Sequence, residues 1–317
     1  MTQCTKLRLN EKVRDMLAIQ RGSLAQRGQA LVVIVLIMAV VLTIALSVVS
    51  RTVSDINIST KEDDSSRAFS AAEAGIEQAL LKGTPQTFEA EVGSTGSFNA
   101  TISQLTSGGT EFAVPILLSS GEIAPVWLVE HDDTTSELIC SDLKPCFTGD
   151  DLKVCWGEPG TPSDSSTTPA LEVSVVYTDS DSDFSTTKIA RAAYDPHPTR
   201  ANNFTKGADS GEAIDGQAYQ FCRTVDLTSL GVTIRPTVNA RRGPQYARLR
   251  MLYNTTQSQP AGVKIVGTEN LPLQGQKVVS TGTSGEAQRS LEVYKLFSDL
   301  PPIFDYTLFS GVGGIVK

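Results

Sequence analysis

Three carboxylates that alternate with serines, Asp179, Asp181 and Asp183, are the residues best suited to hold an ion. Alternating carboxylates can converge on Ca²⁺, a hard cation that takes roughly six to eight oxygen ligands. A loop of the EF-hand type would also need glycine where this chain has Phe184 and glutamate where it has Ala190. The pattern therefore favours a solvated acidic turn between two strands, with a calcium site as the alternative.

Residues for catalysis are scarce. His131 stands before a pair of aspartates and His197 between two prolines, so both are expected to have structural roles in turns. Neither histidine lies in a zinc-protease or nucleophile-elbow motif, and neither has metal-ligand spacing to a cysteine. No glycine-rich phosphate loop follows a predicted strand. The sequence thus predicts a protein that is not an enzyme, with no metal, cofactor or small-molecule substrate.

Cysteines lie mostly in the middle of the chain. Apart from Cys4 near the start, an even number lies well beyond the apolar run at residues 30–50, namely Cys140, Cys146, Cys155 and Cys222. Such a set predicts two disulfides in an oxidising compartment, and four cysteines allow three connectivities. We favour a short loop closed by Cys140–Cys146 and a link between two strands by Cys155–Cys222. Four unpaired thiols are the alternative.

One long predicted helix, residues 29–82, precedes the domain that must position these residues. It opens with the uncharged run Ala30–Ser50, whose 21 residues cover about 30 Å as a helix, the thickness of a bilayer core. The first proline of the chain is Pro85, so nothing before it removes a backbone donor from the helix. Residues 30–50 are therefore predicted to span a membrane once.

Charge is distributed unevenly about this span. Residues 1–28, a predicted leader, carry six basic and two acidic side chains, a net +4, which leaves −12 for the rest of a chain whose net charge is −8. Positive flanks remain on the cytoplasmic side, so the domain after the helix is predicted to lie outside. Its acidic balance argues against nucleic acid as a main partner, because phosphate binding needs clustered lysine and arginine.

The second half of the helix predicts a packing face. Phe69, Ala72, Ile76 and Leu80 recur at spacings of three and four and would form one apolar stripe. Residues 84–317 read as many short strands separated by glycine, serine and threonine turns, which predicts a mostly antiparallel extracytoplasmic β domain. The fold class is therefore α+β, with the stripe on the sheet. Two irregular polar loops suggest two subdomains that meet near residue 200.

Four features of the N-terminal region resemble type IV pilin-like proteins, most closely the PilX-like minor pilins. They are the basic leader ending at Arg27-Gly28, the small residue Ala30, the uncharged run after it, and the pattern AF-x-AAEAGIE at residues 68–77. The resemblance covers about residues 26–82. It also extends to the large minor pseudopilin of type II secretion.

The resemblance implies a pathway. A prepilin peptidase would cut between Gly28 and Gln29 and methylate the new N-terminus. The membrane helix, including Ala30, Val33 and Val40, would then move from the cytoplasmic membrane into a fibre and pack against other pilin subunits. Most pilins have glutamate at the fifth mature position, which is Val33 here. This departure favours a minor or tip subunit.

Other classes of protein remain to be separated from a pilin. The apolar run is longer than the roughly 7–15 residues of a signal-peptide core, which argues against a cleaved secretory signal. A single-pass anchored binding domain that never enters a fibre would share the same hydropathy. An exported enzyme has the least support. The mass of the mature N-terminus distinguishes the anchored binding domain from a pilin.

Overall fold

The computed structural model describes residues 26–93, 96–106, 109–132 and 135–299 of the 317-residue chain. Most of the predicted leader, residues 1–25, and the last residues of the predicted β domain, 300–317, lie outside this part. The described residues form one long helix followed by a mostly antiparallel β domain, so the predicted α+β class is confirmed.

Helix α1 runs from Gln26 to Lys82, 57 residues, or about 85 Å at the usual helical rise. It ends where Gly83 adopts a φ of +65° and donates its N–H to the carbonyl of Ala79 over 3.0 Å. A glycine with positive φ just past the last turn is a common helix stop, because it has no Cβ to strain.

The strands follow α1 in short succession. In chain order they are β1 (Gln86–Val92), β2 (Gly96–Leu105), β3 (Glu111–Ala113), β4 (Ile123–Trp127), β5 (Glu130–His131), β6 (Leu138–Ile139), β7 (Asp151–Trp156), β8 (Ala170–Thr178), β9 (Lys188–Asp195), β10 (Thr205–Lys206), β11 (Asp209–Ser210), β12 (Ala213–Ile214), β13 (Gln217–Ala218), β14 (Phe221–Asp226), β15 (Gly243–Leu252), β16 (Ala261–Ile265), β17 (Gly275–Ser284) and β18 (Ala287–Leu296). The pairs β5–β6 and β12–β13 form separate two-stranded ribbons.

A four-stranded antiparallel sheet of order β1-β2-β17-β18 carries the helix, and we call it the helix-bearing sheet. Its two central strands, β2 and β17, pair along their whole length from Leu105 opposite Gly275 to Gly96 opposite Ser284. Since these neighbours are far apart in sequence, everything from residue 106 to residue 274 is an insertion between them.

The insertion is a β-sandwich with sheets of order β10-β9-β8-β15-β4 and β11-β14-β7-β16-β3. All pairs in these sheets are antiparallel except β10 with β9. Alternate residues of facing strands form the largest apolar core, including Trp156, Val173 and Leu249. The predicted subdomain boundary near residue 200 falls between β9 and β10, within one of these sheets. In the fold, the inserted sandwich is instead separated from the helix-bearing sheet at Leu105 and Gly275.

The helix packs on its sheet through small residues. Ala68, Ala71, Ala72 and Ala79 are at most 1% exposed, and Ile76 is 8% exposed. The predicted stripe is therefore only half correct, because Phe69 and Leu80 are 43% and 38% exposed. Each follows a buried alanine by one residue and so is turned by about 100° from the packed face.

Candidate functional site

The first half of α1 presents an uncovered apolar surface. Between Leu31 and Val49 the large apolar side chains, including Val33 and Val40, are 49–68% exposed. Within the part of the chain that the structure describes, this is the one helix long and apolar enough to cross a membrane. The helix thus has the length and the exposed apolar surface that a single-pass membrane anchor requires.

The predicted processing junction lies at the start of the same helix. Gly28 and Gln29 belong to its first turn, and α1 begins at Gln26, three residues before the predicted start at 29. Ala30 follows with an exposed side chain. The junction and the apolar surface are therefore continuous along one element.

Close backbone contact fixes the second half of α1 on the helix-bearing sheet. A Cβ added to Gly75 would lie 2.1 Å from the Ser280 Oγ, and one added to Gly282 would lie 2.0 Å from the Ala68 carbonyl oxygen. Real Cβ atoms do not approach so closely, so glycine is needed on both sides of this contact. The small residues let the helix approach the sheet more closely than larger side chains would.

Polar contacts at both ends complete the attachment. The guanidinium of Arg289 donates from Nε and Nη2 to the Ser65 Oγ over 2.9 and 2.6 Å. At the other end, Gln276 Nε2 donates to the carbonyl of Gly83 over 2.7 Å. Between them lies a small apolar cluster that includes Ile76, and it joins α1 to β2 and β17. The helix is thus held along the stretch from residue 65 to residue 83, and its apolar half projects from it.

Both predicted disulfides are present. Cys140–Cys146 closes a short loop, and Cys155–Cys222 joins directly opposed residues of β7 and β14. Glu212 lies close enough to the second pair to suggest a metal centre, but the two sulfurs are bonded to each other and cannot serve as thiolate ligands. Disulfides persist in oxidising compartments, which supports an extracytoplasmic location for the β domain.

His131 is a structural residue of an aromatic cluster. It is 4% exposed, stacks on Phe297 with ring centroids 3.7 Å apart, and meets Trp127 edge-on at 4.5 Å. Burial lowers the pKa of His131 to about 4, with a smaller effect of the Lys144 charge, so the ring is neutral at neutral pH. The sequence placed this histidine in a polar turn, and the stacking partner 166 residues later could not be foreseen.

The acidic turn does not assemble a calcium site. Asp179 bonds to Lys188 and Thr233, and Asp181 accepts the backbone N–H groups of Arg241 and Arg242 over 2.8 and 2.9 Å. Asp183 accepts the backbone N–H of Ser185 over 2.9 Å. Hydrogen bonds from these partners lower the pKa of all three carboxylates. The carboxylates therefore serve separate partners instead of converging on one cation.

Asp195 is a buried charge that sequence reasoning missed. It is fully buried and bonds to Arg200 over 2.8 Å, Asn202 over 2.8 Å and Lys206 over 3.2 Å. Burial opposes its ionisation, but a backbone N–H from His197 and the side chains of Asn202 and Lys206 outweigh burial and lower its pKa. The sequence signal for this buried ion pair was an aspartate at the end of β9 followed by the basic residues Arg200 and Lys206.

In the arrangement as a whole, the exposed apolar half of α1 extends from a disulfide-bonded β domain on which the second half of the helix packs. The geometry is suited to anchoring and display. No family model, curated protein or solved structure matches this chain.

Proposed function

We propose that this chain is a minor or tip subunit of a type IV pilus or of a related type II secretion pseudopilus. The observation that carries the proposal is the division of α1 into an exposed apolar half and a half packed through small residues on a four-stranded antiparallel sheet. That division suits a subunit whose helix is released from lipid while its head stays folded.

The proposed mechanism is non-catalytic. The precursor resides in the cytoplasmic membrane with its leader inside and its β domain outside. A prepilin peptidase cuts after Gly28, and the apolar half of α1 then packs among equivalent helices of other pilin subunits. Lipid contacts are replaced by helix–helix contacts, which stabilise association in the absence of a hydrophobic driving force.

Two features support a minor or tip position over a repeating one. Val33 is uncharged, and the run from Ala30 to Ser50 has no carboxylate that could pair with a neighbouring N-terminal amine. The sandwich inserted between β2 and β17 also enlarges the head well beyond the sheet that carries the helix. A large head is accommodated more easily at the end of a fibre than along its side.

Intact mass of the membrane-extracted protein tests the proposal. Co-expressed with a prepilin peptidase, the wild-type chain should begin at Gln29, and Gly28→Leu should keep the full leader. Gly22→Leu is a matched control, because Gly22 also follows an arginine but precedes no apolar run. A wild-type chain that keeps its leader would contradict the pilin proposal and favour a single-pass anchored binding domain outside any fibre.

A further inference from the structure

A small polar pocket lies at the free end of the inserted sandwich. The sandwich joins the helix-bearing sheet at Leu105 and Gly275, and β7 and β15 both end on the opposite side. The loops that follow them, residues 157–169 and 253–260, surround a pocket of about 230 Å³. Loops at the free end of a sandwich are where such folds commonly carry binding residues.

The lining of this free-end pocket defines the chemistry of its ligand. Hydroxyls come from Thr161, Ser165, Thr167 and Thr256, and amides come from Gln257 and Gln259. Thr161 donates its hydroxyl to the Glu158 carbonyl, and Ser165 and Thr167 share a hydrogen bond, so these hydroxyls keep lone pairs that can accept from a ligand. Among the described residues that line it, Glu158 is the one charged side chain. An anionic ligand would find no basic partner in this lining, and an apolar ligand would displace water from these polar side chains without replacing its hydrogen bonds.

Hydrogen bonds from side chains outside the pocket lining fix the two loops that form its walls. Arg200, itself anchored on the buried Asp195, donates from Nη2 to the carbonyls of Ser165 and Thr168 over 3.3 and 3.1 Å. On the other loop, the buried Asn254 donates from Nδ2 to the carbonyl of Gln257 over 3.1 Å. A receptor whose loops are already ordered loses less conformational entropy on binding.

Hydrogen bonds of Glu158 join the two loops. Gln257 Nε2 donates to Glu158 Oε2 over 2.6 Å. The backbone N–H of Glu158 also donates to Gln259 Oε1 over 2.7 Å, so the base of the first loop is tied to the second. The volume is below the roughly 300–1,000 Å³ of pockets for drug-sized ligands, which limits the occupant to about one small ring.

From this geometry we infer that the free-end pocket binds a neutral, hydroxyl-rich ligand of the carbohydrate class. Sugar hydroxyls both donate and accept hydrogen bonds, so they can donate to the lone pairs of the threonine and serine hydroxyls that line the pocket. Glu158 supplies a charged acceptor, which strengthens a hydrogen bond from a sugar hydroxyl. This site goes beyond the proposed function and does not depend on assembly into a fibre.

Saturation-transfer NMR on the full chain tests the site, in a zwitterionic detergent without a sugar headgroup. The probes are glucose, galactose, mannose and N-acetylglucosamine, with glucuronate as an anionic comparison. We expect transfer to at least one neutral sugar, its loss in Thr256→Trp, which fills the pocket from an exposed position, and a several-fold reduction in Glu158→Gln. Glu137→Gln, which changes an exposed glutamate beside the separate β5–β6 ribbon, should bind as the wild type does.

Three results would overturn the inference. They are no transfer to any neutral sugar, undiminished transfer in Thr256→Trp, or stronger transfer to glucuronate than to every neutral sugar. Glu158 and Thr256 are both exposed, so neither change removes core packing, and a thermal melt of each variant verifies the fold independently.

Discussion

Gly282 of β17 lies directly beneath the Ala68 carbonyl oxygen of α1. A Cβ at position 282 would be 2.0 Å from that oxygen and 2.4 Å from the Ala72 nitrogen. Both obstacles are backbone atoms, which cannot move aside as a flexible side chain could. The helix and sheet are thus in backbone contact here, on the side of the β domain from which the apolar half of α1 extends.

Gly282→Ala should therefore destabilise the protein strongly. Overpacking a core usually costs about 1–3 kcal/mol, and we expect at least the upper end because backbone atoms must separate. The measurement is urea unfolding followed by circular dichroism. Gly109→Ala is the matched control, since its added Cβ would meet only ordinary contacts of 3.8 Å or more. Equal stability of the two variants would show that the helix does not pack as described.

Two apolar residues of α1 should respond differently to truncation. Ile76→Ala removes a buried side chain from the contact with β2 and β17 and should cost about 2–5 kcal/mol. Phe69→Ala should cost well under the roughly 3–5 kcal/mol of a buried phenylalanine, because the ring is 43% exposed. Thermal melts of both variants compare them. A larger loss of stability for Phe69→Ala than for Ile76→Ala would support the packing face predicted from the sequence.

The thiols give a direct chemical test. Protein that has lost its leader, and with it Cys4, should show no free thiol after unfolding without reductant. Replacing Cys155 and Cys222 together by alanine should cost about 2–5 kcal/mol, and replacing Cys140 and Cys146 should cost less, because the constraint weakens with shorter loops. Thiol titration and urea unfolding measure these quantities. Four reactive thiols in the wild type would contradict the pairing.

His131 should make stability depend on pH. Its pKa is about 4 in the folded state and about 6.5 in an unfolded chain, so between these values the unfolded state binds more protons. The contribution of neutral His131 to the free energy of unfolding is then fully present above pH 6.5. It is lost as the pH drops toward 4, which lowers stability by up to about 3 kcal/mol. His131→Phe keeps a ring against Phe297 and should flatten this slope. His197→Gln should retain it, and an unchanged slope in His131→Phe would assign the effect to other groups.

Local features of the sequence determined the anchor. An uncharged run of bilayer length, with no proline before Pro85, predicts a continuous helix, because a helix satisfies its backbone hydrogen bonds within one segment. Alternation of apolar and charged side chains at residues 247–251 likewise predicts a half-buried strand, and this segment is the strand β15. The half-buried part of that prediction is wrong, because Arg248 and Arg250 are also buried. These properties depend on neighbours within a few residues, so the sequence alone is enough to recognise them.

Only the tertiary structure decided how these elements meet. The stripe at Phe69 was misjudged because the packed face is chosen by how closely two backbones fit, and the glycine that permits this fit, Gly282, lies far along the chain. The inserted sandwich was missed because β2 and β17 pair across 169 intervening residues, and no local pattern encodes such a partner. The free-end pocket arises in the same way, since its two loops come from separate strands that the sandwich brings together. Side-chain periodicity predicts which surfaces must be buried. Which distant segment covers each of those surfaces depends on how well the two segments fit together.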